Sequence, residues 1–139
     1  MKYWDTSALV PLIIDQECSD QVEKIADSDP DKFYWWGARV ECASALTRLE
    51  RERLPAKKIS RAFQDLGEIF SAGTEIQPSE PVRETAIRFL RVHPLRAADA
   101  LQLAAAFHAS EGHPPSFEFV CLDARLSLAA SKEGFRVLP

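Results

Sequence analysis

Five short β-prone runs alternate with longer stretches of helical period, and that alternation narrows the fold more than any other feature of the chain. The runs are Lys2 to Asp5, Phe33 to Trp36, Thr74 to Gln77, Phe117 to Leu122 and Phe135 to Leu138. Strands separated by helices are the pattern of an α/β domain with a largely parallel sheet. Val22, Ile25 and Ala26 mark one helix face, and Val40, Ala43, Leu46 and Leu49 recur every three residues as another. After a turn at Leu54-Pro55, the residues Ile59, Ala62, Phe63, Leu66, Ile69 and Phe70 predict a third helix, with Pro55 in its first turn. A helical hairpin is therefore expected here. Further helices fit Pro81 to Val92, Asp99 to Ala109 and Ala124 to Glu133, the last closed by Gly134 as its C′ residue.

At 139 residues and 46% hydrophobic content, the chain suits a single domain covering positions 1–139 with one core. The net charge of −4 argues against a protein held to nucleic acid by overall charge, so any polyanion must be held locally. Cys18, Cys42 and Cys121 are odd in number and widely spaced, which predicts reduced, buried thiols rather than disulfides or a zinc site. The longest apolar run, Ala8 to Ile14, is too short to cross a bilayer, and the first residues lack a secretory-signal pattern. A cytoplasmic protein without a membrane partner is the expectation.

In open parallel sheets, ligands bind beyond the carboxyl ends of the strands. Four acids have that address: Asp5 ends the first run, Glu41 lies in the first turns of a helix, Asp99 starts the Ala-rich helix, and Asp123 follows the fourth run. Each has a plain alternative, because acids are favoured at helix N-termini as caps and partners of the helix dipole. For Asp5 the following Thr6-Ser7 offers a cap without it, and Glu41 neighbours an apolar stripe that needs no acid. Four carboxylates sharing one pocket repel one another unless a cation sits among them, so the set implies a metal. Oxygen ligands suit Mg²⁺ or Mn²⁺, and the scattered His93, His108 and His113, expected in solvent or loops, speak against zinc. A hard cation on such an edge suits hydrolysis of a phosphodiester. Local positive charge is available in Arg48, Arg51, Arg53, Lys57, Lys58 and Arg61, whose alternative reading is a solvated face of the helical hairpin.

The segments Tyr3 to Val10, Arg39 to Leu46, Leu95 to Ala104 and Phe119 to Leu126, each carrying one of the four acids, resemble the ordered motifs of the PIN domain. Within that family they are most similar to the VapC-type toxins of toxin–antitoxin pairs. The resemblance implies a PIN-like three-layer α/β/α sandwich around a central parallel sheet, and divalent-metal-dependent cleavage of RNA. It also implies inhibition by a small cognate antitoxin. Carried over by position, Asp5 and Asp99 are the principal Mg²⁺ ligands, Glu41 orients or deprotonates water or binds metal through it, Asp123 completes the acidic pocket, and Ser7 assists through a hydrogen bond. Two positions depart from the pattern: Cys121 stands where Thr is usual, and Gln102 where His is frequent.

Adjacent residues of a strand face opposite sides, so one of Trp35 and Trp36 is expected in the core and the other at an interface with antitoxin or a second copy. Two other functions compete. An aspartyl-phosphate phosphatase also places an Asp after its first strand, but Ser7 occupies the site of its usual second Asp. A PIN-like RNA- or protein-binding module without catalysis has no use for all four acids.

Overall fold

The computed structural model describes residues 1–139. Five strands form one sheet, β1 (Lys2–Trp4), β2 (Lys32–Trp35), β3 (Thr74–Ile76), β4 (Glu118–Val120) and β5 (Arg136–Leu138). Their order is β3-β2-β1-β4-β5 and every pairing is parallel, with Tyr3 opposite both Phe33 and Phe119. Seven α-helices connect them: α1 (Thr6–Ile13), α2 (Ser19–Asp27), α3 (Ala38–Arg51), α4 (Ala56–Ala72), α5 (Glu80–Val92), α6 (Ala97–Ala109) and α7 (Ala124–Lys132). The expected α/β architecture and all five strands are present, with no end shifted by more than two residues.

From β1 the chain steps outward to β2 and β3, then returns across the sheet to β4 and β5. Right-handed crossovers place α1–α4 on one face and α5–α7 on the other. Packing of α1 against α2, α3 and α4, and of α6 against α5 and α7, agrees with this three-layer arrangement. Each face is covered, so successive β1 residues are both buried: Tyr3 points to α6, and Trp4 donates to the buried Asp29 at 2.8 Å.

Three expectations about packing need correction. The buried face of α3 is Ala38, Cys42 and Leu46, spaced by four, whereas Val40 is 67% exposed. A three-residue spacing drifts around a helix of 3.6 residues per turn, so that stripe could not stay inside. His93, expected in solvent, is buried with Nε2 2.6 Å from Glu133 Oε1, which ties the end of α5 to the end of α7. Cys18 is half-buried, whereas Cys42 and Cys121 are buried, and all three thiols are free. Of the tryptophans, Trp35 is in the core and Trp36 is 50% exposed.

Candidate active site

The switch in strand order falls between β1 and β4, and a crevice opens beyond their carboxyl ends. Asp5 lies one residue past β1 and Asp123 three residues past β4. Both cap helices: Asp5 accepts from the Ser7 amide at 2.9 Å and Asp123 from the Leu126 amide at 2.8 Å. Thr6-Ser7 therefore does not relieve Asp5 of capping; one carboxylate oxygen takes that role and leaves the other available. Glu41 is the fourth residue of α3 and Asp99 the third of α6, and neither caps its helix. All four acids line one cavity of about 330 Å³, together with Thr6, Ser7, Val10, Gln16, Ala45 and Arg48.

Asp5 is almost wholly buried, and its Oδ2 faces the Ser7 amide, the Ser7 hydroxyl at 2.5 Å and the Cys121 thiol at 3.6 Å. Oδ1 accepts none of these bonds and is left toward the cavity. Ser7 is held in turn by the Leu122 amide, which donates to its Oγ at 2.9 Å. Cys121 thus stands in for a hydroxyl as a weak donor beside Asp5. Burial and then the Asp5 charge push its thiol up to about 12, so it stays protonated and unreactive.

Gln102, fully buried one turn after Asp99, organises Glu41. Its Oε1 accepts from Tyr3 Oη at 2.6 Å, and its Nε2 donates to Thr6 Oγ1 at 2.9 Å and Glu41 Oε1 at 3.2 Å. Thr6 Oγ1 donates to the other Glu41 oxygen at 3.2 Å. In the sequence, the signal for this role is a large polar residue three positions after Asp99 on an otherwise apolar helix. Thr6 and Gln16 carried no comparable signal.

The electrostatics are those of crowded acids. Burial, then the Asp5 charge, pushes Glu41 up to about 7 against the pull of its Thr6 and Gln102 bonds. Asp5 is raised chiefly by burial, with Asp99 adding to it, and Asp99 by burial and then Asp123. No three acidic, histidine or cysteine side chains converge tightly enough here to enclose a cation by themselves. The donor set fits Mg²⁺ or Mn²⁺ nonetheless, because Mg²⁺ keeps several waters and takes only one or two protein carboxylates.

No family model matches the chain. Among curated proteins it is similar to the ribonucleases VapC45 and VapC49 of two Mycobacterium tuberculosis strains. Each is 28% identical over 138 residues, covering 99% of this chain and 94% of the relative. Among solved structures it superposes on Mycobacterium tuberculosis VapC20, a Sarcin-Ricin loop cleaving toxin, with TM-score 0.69, 18% identity and full coverage of both chains. A toxin–antitoxin complex from Klebsiella pneumoniae and FitAcB from Neisseria gonorrhoeae each give TM-score 0.67, at 14% and 17% identity, covering all of this chain and 97% of theirs. The fold is that of the PIN-domain toxins. The particular resemblance to VapC proteins, read from four motifs, extends over nearly the whole chain.

Proposed function

We propose that this protein is a divalent-metal-dependent endoribonuclease, the toxin of a toxin–antitoxin pair, that hydrolyses RNA phosphodiesters in the acidic cavity. The observation that carries the reading is that four separate elements deliver Asp5, Glu41, Asp99 and Asp123 to one cavity at the carboxyl edge of the sheet. Full-length similarity to proteins named ribonuclease supports it.

Asp5 and Asp99 are the proposed metal ligands, with Asp123 completing the acidic pocket. A bound Mg²⁺ or Mn²⁺ neutralises charge on the phosphate and makes water more acidic. Ser7 and Cys121 occupy Asp5 Oδ2 and so aim Oδ1 into the cavity. Glu41, held through both oxygens by Thr6 and Gln102, receives the proton of the attacking water. Its burial raises its affinity for a proton, in the direction that a proton acceptor requires. The water oxygen bonds to phosphorus as the bond to the leaving oxygen breaks.

A cognate antitoxin is the proposed protein partner, in line with structural neighbours that are toxin–antitoxin complexes. Trp36, 50% exposed just before α3, is the proposed contact for it or for a second copy of the chain. Undiminished association by Trp36→Ala with both would remove that assignment. The absence of any helix long and apolar enough to cross a membrane is compatible with action on cytoplasmic RNA.

The deciding experiment is digestion of total cellular RNA by wild-type and Asp99→Asn protein, with Mg²⁺ or Mn²⁺ and then with EDTA. Metal-dependent fragments from wild type alone are expected. Equal inertness of both proteins toward RNA from their own host would favour a binding module instead.

A further inference from the structure

Beyond the acids, the crevice continues into a second cavity of about 530 Å³ that shares Asp99 and Asp123 with the first and adds Arg96, Ala98, Ala124 and Arg125. Arg96 immediately precedes α6 and Arg125 is the second residue of α7, so each arginine sits within three positions of an acid on its own element. Neither guanidinium makes an ion pair or a side-chain hydrogen bond within the protein, although two carboxylates line the same cavity. Both arginines are exposed. A cation at the start of a helix opposes the helix dipole, so these two placements are unfavourable for the helices that carry them.

We propose that Arg96 and Arg125 form a phosphate subsite that holds the RNA phosphate one nucleotide from the bond being cut. The proposal rests on the ribonuclease reading and adds a substrate requirement to it. Arg48 lies in the acidic cavity itself, so the crevice runs from a cation, across the four acids, to the arginine pair. A strand lying along it meets positive charge on both sides of the acids. Guanidinium groups free of internal partners suit phosphate oxygens, which they bind through paired N–H donors. The arrangement favours cleavage inside a chain over release of a terminal nucleotide.

The test uses the shortest RNA fragment that wild type cuts once, prepared also with a neutral methylphosphonate at each phosphate flanking the cut. With wild type, the methylphosphonate on one side raises KM by about tenfold, the loss of one charge-assisted contact. The Arg96→Ala/Arg125→Ala variant shows a similar rise with ordinary RNA, little further rise with that methylphosphonate, and a kcat close to wild type. Its binding also loses about 0.7 from the slope of log affinity against log salt, the value for one phosphate of a single strand. Independent, additive losses from the variant and the methylphosphonate would overturn the subsite while leaving the nuclease intact. Failure of wild type to cut any RNA would overturn the subsite and the underlying function together.

Discussion

At the scale of single residues, the acidic cavity depends on neutral side chains that hold carboxylates in place. Replacing Gln102 with Leu strands the Tyr3 hydroxyl in the core and leaves Glu41 only its bond from Thr6. Loss of such a supporting partner typically costs ~10–100-fold in activity or metal affinity, which metal titration of the cleavage rate will read. Ser7→Ala leaves the Leu122 amide and Asp5 Oδ2 short of a partner, for a stability loss of about 1–3 kcal/mol in urea unfolding. Glu41 gives a pH prediction. Its folded value, about 7, lies above the usual carboxylate range, so the folded state holds its proton more tightly than the unfolded chain does. That contribution is complete below the unfolded value of about 4.3 and is lost as pH rises through about 7. In EDTA, wild type should therefore lose thermal stability relative to Glu41→Gln across this window. Parallel melting profiles for the two proteins would contradict the crowding described here.

At the scale of elements, helix and strand existence was legible and the buried face was less so. In α4, Ile59, Ala62, Leu66 and Phe70 are buried as the i, i+3, i+4, i+7 rule predicts, while Phe63 from the same pattern is 38% exposed. In α3 the three-residue stripe misled, because the helix must fit its neighbours α1, α4 and β2. Leu46, wholly buried on its true face, is the test: Leu46→Ala should cost about 2–5 kcal/mol by denaturant unfolding, and Val40→Ala little. Strand ends were read too long because β-prone residues continue past the paired segment; Cys121, beyond β4, still donates its amide to the Leu138 carbonyl at 2.8 Å. Gly73, which joins α4 to β3, has a tertiary role that no local pattern announces. A Cβ there would lie 2.7 Å from the Lys32 carbonyl oxygen and closer still to the Tyr34 hydroxyl. Gly73→Ala should accordingly shift Tyr34 off its 2.5 Å bond to the Ile69 carbonyl and lower the melting midpoint.

At the scale of the whole molecule, the crevice sets function against stability. Burying Asp5, Glu41 and Asp99 close to one another raises all three toward their neutral forms, a cost that a bound cation would offset. Asp99→Asn should consequently melt higher than wild type in EDTA, gain less from Mg²⁺, and lose cleavage. A wild-type midpoint indifferent to Mg²⁺ and Mn²⁺ would speak against a cation in this cavity. From the amino-acid order came the alternation of strands and helices, the parallel sheet, and the positions of four acids near element ends, because periodicity and end preferences act over a few neighbouring residues. Tertiary structure alone decided that those acids face one cavity, that Gln102 braces Glu41, that His93 is inside, and that Arg96 and Arg125 stand unpaired beside Asp99. These are contacts between residues as far apart as Tyr3 and Gln102, or Ser7 and Leu122, which meet only when the crossovers bring β4 beside β1. Local propensity carries no term for a partner about a hundred residues away, and the catalytic proposal depends on such partners.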